Sequence, residues 1–318
     1  MKKIIPLFIL PLFFFQAHAE DNLEKEIIIE PSQTCLFATK DTCDLYLDIY
    51  YHSSGEKAKA AVIYSFGGGF KMGHKREDKA LRWFRKLTDD GYDVIAIDYR
   101  LGLKGYKITG LNGEFINTAE NAVNMAVEDL FSATSYLIEN GDSLNIDSSR
   151  LIAAGSSAGA IMSLQAEWEI CNSTERASVL PEDFNYAGII SYAGAIFNRK
   201  GGPVYAKESC PTIFFQGMSD KIVAYDKMQV FNLFFGGTKS IVKYFEKHNF
   251  NYNAYRYKGR GHEVAGTMDF SYPEVTRFME TNIINGERRI VDAVVEDPSI
   301  PIPDWARGST KDLYDYQE

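Results

Sequence analysis

The sequence predicts an α/β protein with a mostly parallel central sheet of about eight strands flanked by helices. Three observations carry that expectation. Short apolar runs alternate with longer amphipathic ones through most of the chain, the order expected of successive strand-helix units. Two of the short runs, VIAIDY and LIAAG, are apolar on both faces, as strands covered by helices on each side must be. A third observation is local: the run RLIAAGSSAGAIM breaks into Gly-Ser-Ser-Ala-Gly and then resumes with helical character, a junction of two buried elements with almost no loop between them.

Taken in order, the predicted strands are 27–29, 45–51, 61–66, 94–99, 151–154, 189–192, 213–216 and 254–257. Leu45, Leu47 and Ile49 alternate with Asp44, Tyr46, Asp48 and Tyr50, so the second strand has a wet face and belongs near an antiparallel edge. The strands at 94–99 and 151–154 belong at the centre. Between the strands, residues 78–88, 119–140, 158–171, 226–235 and 272–284 read as helices from their apolar spacing. Residues 101–118, LGLKGYKITGLNGEFINT, are Gly-rich, lack a clear period and are long for a connection, which makes them a candidate binding loop. No internal repeat or low-complexity linker divides the chain. One domain over 20–286 is expected, followed by an irregular tail, 287–318, that carries Pro298, Pro301 and Pro303 and packs on or extends from it.

Composition narrows the function. The chain of 318 residues is 45% hydrophobic and 24% charged, enough for a substantial core. A formal charge of −9 and an isoelectric point near 5.2 provide no net positive field to collect phosphates, so nucleic acid is not an expected partner. The first residues, MKKIIPLFILPLFFFQAHAE, place two lysines before an apolar stretch and Ala17-His18-Ala19 after it, the pattern of a secretory signal cut after Ala19. The apolar stretch at 4–15 is shorter than the roughly 20 residues that span a bilayer, so no stable membrane anchor is expected. Removal of Lys2 and Lys3 takes the charge from −9 to −11, and the mature protein is expected outside the cell or in a periplasm. Export lets thiols pair, and closeness along the chain favours Cys35 with Cys43, leaving Cys171 with Cys210, among the three connectivities four cysteines permit. No Cys-x-x-Cys spacing suggests zinc, and no metal or cofactor is expected.

The Gly-Ser-Ser-Ala-Gly junction carries the chemistry. With a strand before it and a helix after it, Ser157 lies at the apex of Gly155-x-Ser157-x-Gly159, and glycines two residues either side answer a turn too sharp for side chains. A serine hydroxyl is a weak nucleophile without a base, and the base needs an acid to orient it. His18 departs with the signal; His52 and His74 precede the serine; His248 lies in FEKHNFNYN, a helix end or solvated loop. His262 follows a predicted strand in the Gly-bounded loop YKGRGHEV and is the candidate base. Asp220, three residues beyond the strand end at Gly217 in TIFFQGMSDKIV, is the candidate acid, with Glu263 the alternative made awkward by its adjacency to His262. The run VIYSFGGGF ends a buried strand in Gly67-Gly68-Gly69, where backbone N–H groups of Gly68 and Gly69, joined by that of Ala158, could hold an oxyanion. A phosphate-binding loop is the rival, but neither a Lys-Ser/Thr ending nor a Gly-x-Gly-x-x-Gly pattern follows.

Five pieces in one order, GGGF, DVIAIDYRL, GSSAG, GMSD and GHEV, resemble the α/β-hydrolase superfamily, and within it the secreted esterase/lipase-like branch. The resemblance spans residues 60–284. It implies an α/β-hydrolase fold, Ser157 as nucleophile, His262 as general base and acid, Asp220 as its orienter, and Gly68, Gly69 and Ala158 around the oxyanion; it also implies that Asp98-Tyr99-Arg100 is a structural element beneath the site. One position departs: Phe66 stands where that branch carries the histidine of HGGG, so the brace that histidine supplies must be replaced or absent.

The expected reaction is hydrolysis of a carboxylic ester through an acyl-enzyme. No sizeable lid insertion is evident between Ser157 and Asp220, which points to an accessible pocket and short acyl groups. Tyr106, Phe115, Phe197 and Tyr205 lie in predicted loops at that end, where rings could stack on sugar or aryl groups. An acetyl or feruloyl ester, small or borne on a polysaccharide, is the expected substrate by analogy. A peptidase of the same fold is the alternative, although it would usually carry an added propeller domain; a non-catalytic binding protein on a hydrolase fold is another, although no triad member or loop glycine is missing.

Overall fold

The computed structural model describes residues 29–53, 57–107, 112–300 and 302–303. The predicted signal and its cleavage point, most of the first predicted strand, the middle of the Gly-rich loop and residues 304–318 lie outside the described residues.

A nine-stranded sheet forms the centre, and the alternation of apolar runs decides which strands lie inside it. Its strands, in chain order, are β1 (Gln33–Lys40), β2 (Cys43–Tyr50), β3 (Ala61–Ser65), β4 (Asp93–Ile97), β5 (Leu151–Ser156), β6 (Gly188–Tyr192), β8 (Thr212–Gly217), β11 (Tyr252–Tyr257) and β12 (Val291–Val295). They lie side by side as β1-β2-β4-β3-β5-β6-β8-β11-β12. From β4 to β12 every pairing is parallel, whereas β2 runs antiparallel to both β1 and β4. The strands β3, β4, β5, β6 and β8 are buried almost throughout, as apolarity on both faces requires. The wet face of β2 is confined to its first half. Asp48 is fully buried, and although burial pushes its carboxyl up, hydrogen bonds from Arg76 and Thr34 and the nearby charge of Lys75 hold it below the usual range.

The helices cover the sheet. Helix α1 (Asp78–Asp89) packs on β4 and buries Trp83 and Phe84, side chains worth about 1.5–3 kcal/mol each when fully buried. Helix α2 (Gly113–Leu144) is longer than its apolar spacing predicts at both ends. The Asn112 side chain accepts a hydrogen bond from the Phe115 N–H at its start, and Asn145 in the left-handed region stops it. The second part of the predicted 101–118 loop is therefore helix. Helix α3 (Ala158–Cys171), buried on nearly every side, packs against α2, β5 and β6; α4 (Thr238–His248) lies against β8 and β11; and α5 (Tyr272–Phe278) runs into a π-helical turn, Met279–Ile284.

Three expectations fail. Residues 226–235, predicted as a helix, form β9 (Lys227–Val230) and β10 (Leu233–Gly237), which join β7 (Ala195–Asn198) in a small antiparallel sheet. The reason is a partner distant in sequence: β10 pairs with β7 from Phe234 opposite Asn198 to Gly237 opposite Ala195, and the Gly236-Gly237 end favours extended chain over helix. The tail is not irregular from its start, because Val291–Val295 adds a parallel edge strand to β11. All four cysteines are free thiols. Cys35 pairs across the hairpin with Leu47 and Cys43 with Lys40, so four residues of strand, about 13 Å, separate the favoured partners, too far for a bridge. Cys171 and Cys210 both turn instead toward buried Glu167, whose Oε1 accepts from the Cys171 thiol at 3.2 Å and from the Cys210 N–H at 2.8 Å.

Candidate active site

The carboxyl end of β5 meets α3 without a loop, and the close packing explains the glycines. A Cβ on Gly155 would lie 2.2 Å from the Gly159 carbonyl carbon, and one on Gly159 would lie 2.0 Å from the Ser65 oxygen on β3. Ser157, between them, takes φ 51° and ψ −114°, a conformation that costs a non-glycine residue about 1–3 kcal/mol. Its N–H is held by the Tyr192 carbonyl at the end of β6, at 2.8 Å. Strand, turn and helix thus hold one hydroxyl at a fixed place, and the surroundings offset the strain.

Three side chains that the sequence singles out converge there. Ser157 Oγ lies 2.8 Å from His262 Nε2, and His262 Nδ1 lies 2.9 Å from Asp220 Oδ2, all three residues being buried. An ionised carboxylate can only accept, so Nδ1 keeps its proton and donates to it, which leaves Nε2 to accept from the serine hydroxyl. The other carboxylate oxygen of Asp220 accepts from the N–H groups of Ile222 and Val223 at 2.9 and 3.0 Å. Glu263, the alternative acid, binds the Gly261 N–H with both oxygens, pinned to its own loop. His52 pairs with Asp93 at the amino end of β4, His74 accepts from the Arg76 N–H, and His248 stacks on Tyr244.

The loops bearing the acid and the histidine are fastened to each other and to the turn. A Cβ on Gly217 would lie 2.2 Å from the Gly261 oxygen, and the Ser219 N–H donates to the Arg260 carbonyl. From the nucleophile side, the Ser156 hydroxyl donates to the Ala265 carbonyl at 2.7 Å, tying the turn to the 3₁₀ segment His262–Gly266. Ser156 is legible in the sequence only as a neighbour of Ser157; its role requires the contact.

Beside Ser157 lies the glycine loop. A Cβ on Gly67 would sit 3.4 Å from the Ser157 Cβ, and the chain then turns at Gly68, whose φ of 110° and whose approach to the Met72 carbonyl exclude a side chain. Ala158 is the first residue of α3, where a backbone N–H has no intrahelical acceptor. The structure therefore brings the glycine loop against the serine and places Ala158 directly behind it. At Phe66, where the resemblance implies a histidine, the backbone is held by Tyr99, whose hydroxyl donates to the Phe66 carbonyl.

The four aromatics separate. Tyr106 stacks on Phe115 in a small cluster with Ile116 and Leu233, and Phe197 packs edge-on against Phe235, so these three line the region between the start of α2 and the small sheet. Tyr205, expected in a loop beside the site, does not join them; it is buried against Phe245 and Phe250 and packs in the main core. Among the described residues no group of three or more His, Cys, Asp or Glu is placed to hold a metal ion, and no helix is long and apolar enough to cross a membrane.

Comparison with known proteins follows the same lines. The family model described as BD-FAE matches residues 47–175, which include the glycine loop and the serine turn. Among solved structures, the apo form of Thermogutta terrifontis esterase 2 superposes with a TM-score of 0.56 at 17% identity, over 79% of this chain and 96% of that one. The same esterase phosphonylated by cyclosarin gives 0.51 at 17% identity, over 76% and 94%. A stretch of 92 residues is 32% identical to the non-reducing polyketide synthase ausA of Emericella nidulans; it is 28% of this chain and spans only 4% of the length of that curated relative. The sheet order, the serine turn and these superpositions agree: the chain has an α/β-hydrolase fold.

Proposed function

We propose that this protein is an exported serine hydrolase of carboxylic esters, with short-chain or carbohydrate-linked acetyl and feruloyl esters as its substrate class. The observation that carries the reading is the unbroken chain from Ser157 Oγ through His262 to Asp220 on a strained strand-helix turn. In this mechanism His262 Nε2 takes the hydroxyl proton as Oγ attacks the ester carbonyl. The N–H groups of Gly68, Gly69 and Ala158 hold the oxyanion, each such donor being worth about 10²–10³ in rate. Collapse expels the alcohol, which takes the proton from His262; water, deprotonated by the same imidazole, then attacks the acyl-Ser157 and releases the acid. Asp220 orients the ring and stabilises the imidazolium.

The comparisons support the reaction class through an esterase of the same fold that is described as phosphonylated by cyclosarin. Export rests on the N-terminal pattern, and the mature chain would begin at Glu20. The test uses that chain and its Ser157→Ala variant against p-nitrophenyl esters from acetate to palmitate, methyl ferulate and acetylated xylan. Turnover of short or feruloyl esters that disappears in the variant supports the reading. A folded wild-type protein that hydrolyses none of them and gains no mass from a phosphonate overturns it.

A further inference from the structure

The acid of the site is held by a residue that neither the sequence motifs nor the triad contains. Gln216, the penultimate residue of β8, is a fully buried polar side chain that follows the apolar run Ile213-Phe214-Phe215. Its Oε1 accepts from the N–H of Thr238, the first residue of α4, at 3.1 Å. A backbone N–H can only donate, so the amide has one orientation, and Nε2 must face the other way. There it donates to the Val223 carbonyl at 2.8 Å and lies 3.5 Å from Asp220 Oδ2, the oxygen that also meets His262. The Val223 N–H in turn binds Asp220 Oδ1. The loop from Gly217 to Val223 is thus closed at its far end by one amide, and Asp220 lies inside that closure.

The support behind Gln216 is rigid. Gly237, just before α4, packs so close to Ala224 that a Cβ would lie 1.8 Å from its carbonyl oxygen, and the Gly237 and Lys239 N–H groups bind the carbonyls of Asp226 and Tyr225. The amide also extends the positive end of α4 toward the carboxylate, with its C=O on the helix N–H and its N–H on the acid side. A glutamate here would set a carboxylate against the Val223 carbonyl and Asp220, and an apolar side chain would leave the Thr238 N–H and Val223 carbonyl without these partners.

We propose that Gln216 is a positioning residue of the site: bridging the first turn of α4 to the Val223 carbonyl, it holds Asp220 where its Oδ2 meets His262. This rests on the esterase reading above, and it adds a residue to it. Because it acts through Asp220, its loss should reduce kcat and not substrate binding, and should cost nothing further once Asp220 cannot function.

The experiment is a double-mutant cycle on the full mature chain with p-nitrophenyl acetate. Gln216→Met is expected to lower kcat by about tenfold or more with KM within about twofold, and to have no further effect in an Asp220→Asn background. Gln216→Glu, of unchanged shape, runs in parallel, so that poor folding of one variant leaves the other to decide; circular dichroism and thermal melts establish folding. A folded variant with wild-type kcat, or one whose loss is the same factor with and without Asp220, overturns the proposal. Wild type and Ser157→Ala in the same assay separate the two readings. An active wild type with additive losses removes only the role of Gln216, whereas an inactive wild type removes the esterase reading and this role with it.

Discussion

The Tyr99 hydroxyl donates to the Phe66 carbonyl at 2.9 Å while the two rings stack with centroids 4.3 Å apart. One residue just beyond β4 thus contacts both the backbone and the side chain at the entrance to the glycine loop. Removing only the hydroxyl separates the two contributions. Tyr99→Phe keeps the stack and is expected to cost about 1 kcal/mol of stability, the usual worth of one hydrogen bond. It should also lower kcat on p-nitrophenyl acetate about tenfold, because donors at a loose loop stabilise the transition state less well. Wild-type turnover in this variant would assign the bracing to the ring alone.

Gly159 tests the packing of the serine turn. With a Cβ there 2.0 Å from the Ser65 oxygen, Gly159→Ala forces β3 and α3 apart, and a loss of about 3 kcal/mol is expected in urea unfolding. Gly113→Ala is the control, since a Cβ at that helical position meets nothing within 4 Å. It should melt like the wild type.

Glu167 makes stability depend on pH. Burial pushes its carboxyl above the ordinary range, against the opposing hydrogen bonds from Cys210, Cys171 and Ser209. A carboxyl raised on folding contributes its full stability below the unfolded value of about 4.3, and that contribution is lost as pH rises through the folded value. Glu167→Gln should therefore melt higher than wild type at neutral pH and lose the advantage near pH 4. Melting temperatures across that range check the sign, and an advantage confined to acid would reverse it.

The thiols have a simple readout. Cys43 is exposed while Cys35, Cys171 and Cys210 are buried, and burial raises the Cys171 and Cys210 thiols well above the ordinary range. One fast-reacting thiol per chain is expected with a disulfide reagent under native conditions, and four in guanidinium without reductant. A denatured count of two would place a bridge between Cys171 and Cys210, because the strand register separates the other two.

What the sequence by itself determined is what local pattern and spacing can carry. The buried strands β3, β4, β5, β6 and β8 announce themselves as short apolar runs, the serine turn by its paired glycines, and Asp220 and His262 by their places just beyond strand ends. Only the tertiary structure decided the rest, because it depends on partners far away in the chain. Residues 227–237 become strands because β7 lies alongside, and Val291–Val295 becomes one because β11 offers an edge. Strand register keeps Cys35 and Cys43 apart. The contacts of Tyr99, Ser156 and Gln216 follow from no motif; each forms because a buried hydrogen-bonding group must find a partner, and folding brings that partner from 33, 109 and 22 residues away respectively.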